Sequence, residues 1–153
     1  IVSEVGAEYP NIELEHLYTD NALYQMMQRP TTFDVVIADN IFGDLASDLV
    51  ASYAGSLGML PSASLHGLNP GRPAIYEPVH GTAPDIAGRG IANPIGTILS
   101  VAMLFEYSMQ RKDLAQRLEN AVERCLQAGV MSADLGGNAS TDQIGEKIIS
   151  ALN

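Results

Sequence analysis

Ile12, Leu14, His16 and Tyr18 alternate with Glu13, Glu15 and Leu17, and this two-residue period predicts a strand with one buried face ending at Tyr18-Thr19-Asp20. Leu23, Met26 and Met27 then recur at helical spacing until Pro30 closes the segment, and Val35-Val36-Ile37-Ala38 reads as a short apolar strand. Strand, helix and strand in that rhythm predict an α/β unit. After Asp39-Asn40-Ile41-Phe42-Gly43, the residues Leu45, Ala46, Leu49, Val50 and Tyr53 share one helical face, with Gly55 as the expected carboxyl-terminal cap. Asp44 and Asp48 then fall on the first turns of that helix.

Gly55 to Gly71 is rich in Gly, Ser and Pro, and Ala74-Ile75-Tyr76 reads as a short strand. Glu77 to Asn93 shows no period and is expected to be a long loop, a kind of segment that usually carries function. Asn93-Pro94 is a helix start, an N-cap followed by proline in the first turn, and Ile95, Ile98, Leu99, Ala102 and Phe105 form the buried stripe behind it. A second helix is expected with Asp113 as its cap, a stripe of Leu114, Leu118, Ala121, Val122, Cys125 and Leu126, and an end at Gly129. A third begins at the capping box Ser140-Thr141-Asp142-Gln143 ahead of Ile144, Ile148 and Leu152. These helices are expected to cover a sheet.

Composition narrows the class. With 46% hydrophobic residues over 153 positions, the chain has the profile of an ordinary globular domain. It opens on Ile1 and not on Met, so the start is expected to be a cut. The longest nearly apolar run, Ile98 to Phe105, is far short of the ~20 residues of a membrane span, and no signal peptide is expected. Eighteen acidic against eight basic side chains give a formal charge of −10, which argues against nucleic acid or an anionic membrane as a partner. The single cysteine, Cys125, excludes an internal disulfide and is expected to pack as a small hydrophobe in a reducing compartment, with a cytoplasmic location.

Asp44 and Asp48 are four residues apart, which on a helix places them on one face about 6 Å apart along the axis, within reach of one hard cation. Asp20, at a strand end, is the third candidate. Carboxylates without cysteine or histidine nearby favour Mg²⁺ or Mn²⁺ over zinc. The plainer account of an aspartate pair early in a helix is a solvated complement to the helix dipole. The Phe42-Gly43 step in front of the pair has no packing rationale in the sequence.

The runs NIFGDLASD, GSLGMLPSASL and EPVHGTAPDIAGRGIANP resemble the isocitrate/isopropylmalate dehydrogenase family, the β-decarboxylating dehydrogenases of 2-hydroxy diacids. The resemblance covers essentially the whole chain, and Gly55 to Leu65 points to the branch that acts on 3-isopropylmalate in leucine biosynthesis. It implies an α/β fold of two domains, of which this chain is the carboxyl-terminal portion. Residues 1–54 would end the second, substrate and dimer, domain, and 55–153 would form the carboxyl-terminal half of the first, cofactor, domain. It also implies a homodimer in which Asp44 and Asp48 bind the metal of one subunit and Asp20 reaches the metal site of its partner.

No G-x-G-x-x-G follows a strand, so the usual dinucleotide fingerprint is absent. The resemblance assigns the cofactor instead to the loop from Glu77 to Asn93, with Glu77, His80, Gly81, Ala83 and Asn93 around the adenosine end and Asp85 on its ribose. A carboxylate at Asp85 accepts from a free 2′-hydroxyl and repels a 2′-phosphate, which favours NAD, with Arg89 nearby weakening the argument slightly. Taken singly, His80 reads as a loop histidine bonded to its own backbone and Asp85 as a turn residue after Pro84.

The family's chemistry also needs a general-base lysine, an acid tyrosine and arginines on the substrate carboxylates, and none of those motifs occurs here. The lysines are Lys112 and Lys147, both in helices that look structural, so the chain by itself is expected to be inactive. Homoisocitrate, tartrate or isocitrate dehydrogenase, and a non-catalytic regulatory subunit of the same family, are the alternatives. A stand-alone acidic binding module would instead be monomeric, folded and indifferent to NAD and Mg²⁺.

Overall fold

The computed structural model describes residues 1–67 and 71–152, so Leu68 to Pro70 of the Gly-, Ser- and Pro-rich stretch lie outside the described residues. Contacts divide the chain into two units, Ile1–Val50 and Ala51–Asn153.

The first unit holds α1 (Val2–Gly6), α2 (Thr19–Gln28), a 3₁₀ turn at Pro30–Thr32 and the start of α3 (Asn40–Ala54). Helix α2 matches the expectation from Leu23, Met26 and Met27, and Met26 is buried. The two strands expected here do not form. Residues 13–18 and 35–39 form no ladder among the described residues, and Val35, Val36 and Ile37 are 83%, 46% and 74% exposed. A strand exists only through hydrogen bonds to a neighbour, and alternation in one segment cannot supply that neighbour.

Helix α3 also starts earlier than expected. The Asp39 carboxylate accepts from the Phe42 backbone N–H at 3.2 Å, the placement of an N-cap aspartate, so the helix opens at Asn40. Asp44 therefore begins the second turn. At the other end Gly55, with φ of +87°, closes the helix as expected.

The second unit contains the core. A 3₁₀ turn at Leu57–Met59 leads into β1 (Pro61–Ser64), which pairs antiparallel with β2 (Ile75–Pro78) in the register Pro61↔Pro78 to Ser64↔Ile75. Only β2 was foreseen, because Pro61-Ser62-Ala63-Ser64 lacks the β-branched and aromatic residues that signal a strand. Helix α4 (Ile95–Met103) packs on both strands, α5 (Lys112–Gln127) on α4, and α6 (Thr141–Ala151) on α5. The three helices thus form a stack in which α4 is the one laid directly on the hairpin.

Ile95, Ala102, Leu118, Ala121, Val122, Cys125, Ile144 and Ile148 form the buried cluster, close to the stripes read from the sequence. Cys125 is fully buried, donates to the Val130 carbonyl at 3.4 Å, and burial pushes its thiol up, as fits a packing residue. The capping box of α6 is complete, with Ser140 and Gln143 each bonding the other's backbone N–H. Asp113 is not the cap of α5, which begins at Lys112. It lies in the first turn, where hydrogen bonds from the exposed Arg111 guanidinium hold its carboxyl down to about 2.

The approach of α4 to the hairpin depends on Gly96. A Cβ there would lie 3.0 Å from the carbonyl oxygens of both Gly58 and Leu60, which are backbone atoms and cannot swing away. Gly96→Ala is expected to lower stability by about 1–3 kcal/mol, measured as a lower urea midpoint without a change in slope.

Candidate functional site

Helix α3 carries the acidic pair. Asp44 and Asp48 are both exposed and one turn apart, while Ala46, Leu49 and Val50 are half-buried. The Asn40 side-chain amide donates to Asp44 Oδ2 at 2.8 Å, and the Ser47 hydroxyl donates to the Asp44 carbonyl at 2.9 Å. Asn40 thus holds one oxygen of Asp44 and leaves the other available. Asp20 lies elsewhere, at the start of α2, where its Oδ1 accepts from the Asn21 N–H at 2.8 Å. Among the described residues no three His, Cys, Asp or Glu side chains come together as a metal set, so the chain does not gather Asp20 with Asp44 and Asp48. The α3 pair offers only carboxylate oxygens in open solvent, a donor set that suits a hard divalent cation completed by ligands from outside the chain.

The second candidate region is the loop that leaves β2. Glu77 is an exposed residue of β2 paired with Ser62, so the loop proper begins after Pro78. Val79 is pinned by its N–H to the Leu60 carbonyl at 3.1 Å. His80 is half-buried, and its Nδ1 lies 2.8 Å from the Gly81 carbonyl. A carbonyl only accepts, so Nδ1 carries the proton, and Nε2 of the neutral ring is an acceptor. That Nε2 is buried with no partner. Gly81, Thr82, Ala83, Pro84 and Asp85 follow as an exposed run in which Ala83 has φ of +41° and a Cβ on Gly81 would meet nothing within 4 Å. An orphaned acceptor beside an open stretch of backbone ending in a free carboxylate fits the adenosine of a dinucleotide.

Asn93 ends the loop and is only 9% exposed. Its Oδ1 accepts from the Ile95 N–H at 3.0 Å, which makes it the cap of α4 in chemistry although the helix is bounded by Pro94. Its Nδ2 donates to Asp134 Oδ2 at 3.0 Å. Both ends of the amide are therefore occupied within the fold, and contact with a ligand would fall to the backbone or to the remaining N–H.

Sequence reasoning missed Asp134. It sits in the 3₁₀ turn Ala133–Leu135, and burial pushes its carboxyl up, but the neighbouring Ser132 and Ser56 hydroxyls and the Asn93 amide, which donates at 3.0 Å, outweigh this and hold it below its ordinary value. The signal available was an acid immediately before Leu135-Gly136-Gly137, a turn in which Gly136 has φ of +79° and a Cβ on Gly137 would collide with the Met131 carbonyl. Its partner, forty-one positions earlier, was not legible.

Residues 1–148 match the isocitrate/isopropylmalate dehydrogenase family. The chain belongs to that family. It is 49% identical over 153 residues to a 3-isopropylmalate dehydrogenase of Zymomonas mobilis, all of this chain against 43% of that relative. Among solved structures it is similar to isocitrate dehydrogenase from Methylococcus capsulatus, with a TM-score of 0.90 and 37% identity over 98% of this chain and 44% of that one. It is also similar to a β-decarboxylating dehydrogenase from Thermococcus kodakarensis, with a TM-score of 0.83 and 38% identity over 99% and 43% of the two chains. The chain thus spans well under half the length of these relatives, and its architecture is a partial form of the family's α/β fold. No helix among the described residues is long and apolar enough to cross a membrane.

Asp134 also sets a pH dependence. Its folded value lies below the ordinary carboxylate value of about 4, so its contribution to stability is complete above that value and is lost as pH falls through the lower folded one. Asp134→Asn is expected to flatten the acid limb of stability, read as denaturant midpoints between pH of about 2 and 5.

Proposed function

We propose that this chain is the carboxyl-terminal part of a dehydrogenase that oxidises and decarboxylates 3-isopropylmalate with NAD and Mg²⁺ or Mn²⁺, in leucine biosynthesis. The observation that carries the reading is identity near one half, over the full length of the chain, to relatives named for that reaction. The exposed acidic pair on α3 and the loop with an unpaired histidine nitrogen support it chemically.

In this reading Asp44 and Asp48 hold the cation, with Asn40 fixing the rotamer of Asp44, and Asp20 serves the metal site of a second subunit in a homodimer. When bound, the cation supplies Lewis acidity for the charge that develops on substrate oxygen, and NAD supplies the hydride acceptor. His80, Gly81, Ala83 and Asn93 surround the adenine, Glu77 lies at the entrance of the loop, and Asp85 accepts from the ribose hydroxyls. The proton-transferring lysine and tyrosine, and the arginines for the substrate carboxylates, come from the rest of the protein. Residues 1–54 belong to the substrate and dimer domain and 55–153 to the cofactor domain, and the enzyme works in the cytoplasm.

A second reading, isocitrate as substrate, is favoured by the likeness to the solved isocitrate dehydrogenase. The whole protein containing this chain, assayed for NADH formation with Mn²⁺, separates the two. 3-Isopropylmalate is expected to be the better substrate, and faster turnover of isocitrate would replace the first reading by the second. Asp44→Asn and Asp48→Asn are each expected to lower kcat/KM by about 10²-fold or more. Asp85→Ala is expected to raise KM for NAD by about tenfold to a hundredfold, the worth of hydrogen bonds to a charged acceptor. Turnover without metal, or without NAD, would end the proposal.

A further inference from the structure

Within the nucleotide loop the exposed run is shaped by local turns, the Ile86 N–H donating to the Ala83 carbonyl at 3.1 Å and the Ala87 N–H to the Pro84 carbonyl at 3.4 Å. The loop's far end is gripped from behind by a segment forty to fifty residues later in the chain. Thr141, the first residue of α6, donates its N–H to the Gly90 carbonyl at 2.9 Å and its hydroxyl to the Ala92 carbonyl at 2.6 Å. Asp134 accepts from the Asn93 amide at 3.0 Å, and that amide in turn caps α4. Gly58 closes the space around this pair. A Cβ there would lie 2.8 Å from Asn93 Cβ and 3.1 Å from Asp134 Oδ2. Three of the last four loop residues are thus bonded to the turn and helix start between Asp134 and Thr141.

We infer that Asp134 and Thr141 are positioning residues for the nucleotide loop, fixing Gly90–Asn93 so that Gly81–Asp85 is presented to the adenosine, without touching the nucleotide themselves. The inference rests on the proposed NAD-binding reading for its ligand but not for its geometry. A loop ordered before the ligand arrives surrenders less conformational freedom on binding, so the hold raises affinity without taking part in hydride transfer. Thr141 is suited to the task because the capping box already fixes the start of α6 through Ser140 and Gln143, leaving the N–H and hydroxyl of Thr141 for the loop.

The test uses the whole protein with Asp134→Ala, Asp134→Asn, Thr141→Val and Thr141→Ser, read by calorimetric NAD affinity, steady-state kinetics and amide hydrogen exchange over residues 79–97. Asp134→Ala and Thr141→Val are expected to weaken NAD binding and raise its KM by about tenfold, the scale of one or two lost hydrogen bonds, with kcat within about twofold of wild type. Exchange is expected to rise over the loop end and the first turn of α4. Asp134→Asn keeps an acceptor and Thr141→Ser keeps the hydroxyl, so each is expected to recover most of the affinity. Unchanged exchange and KM in Asp134→Ala and Thr141→Val would overturn the inference, as would a loss confined to kcat or an Asp134→Asn variant no better than Asp134→Ala. If the wild-type protein ignores NAD while Asp134→Ala still loosens the loop, the nucleotide reading falls and the hold stands.

Discussion

Three stretches of the second unit meet at the side chain of Asn93, and each needs it for a different reason. Helix α4 needs an acceptor for its first free N–H, the turn at Ala133–Leu135 brings a carboxylate that needs donors, and the turn at Leu57–Met59 comes so close that Gly58 has no room for a side chain. The amide answers the first two, its oxygen toward Ile95 and its nitrogen toward Asp134. The position of α4 on the hairpin, and with it the end of the loop that leaves β2, follows from that one group being satisfied on both sides.

The two units differ in how much of their own order they supply. In the second, apolar side chains of α4, α5 and α6 close on one another, with Ile95, Ala121, Cys125 and Ile144 wholly removed from water. In the first, among the described residues only Met26 is buried, and Ile1, Tyr18, Val35, Ile37 and Ile41 are largely exposed. The acidic pair belongs to the first unit and the loop to the second, so the parts read as metal-binding stand on α3 and the parts read as nucleotide-binding stand on a packed core.

Local chemistry was legible in the sequence and distant pairing was not. The capping box at Ser140–Gln143, most of the stripes of the last three helices and the glycine end of α3 are decided within a few residues and appear as read, while the loop before Asn93 begins after Pro78 and not at Glu77. Alternation from Ile12 to Tyr18 and the apolar run Val35 to Ala38 both predict strands, but a strand needs a partner that the segment cannot encode. The hold of Asp134 on Asn93 and of Thr141 on Gly90 and Ala92 was invisible for the same reason. Asp113 shows the reverse case, a good capping residue by type that an adjacent arginine engages one position inside the helix.

In the proposed enzyme the segment from His80 to Asn93 receives the nucleotide. A crystal structure of the whole protein with NAD and Mn²⁺ tests it most directly. Adenosine density is expected against Gly81 and Ala83, with a ribose hydroxyl within hydrogen-bond distance of Asp85 and the Asn93–Asp134 bond intact behind it. Nucleotide density elsewhere, with this loop facing solvent, would contradict it.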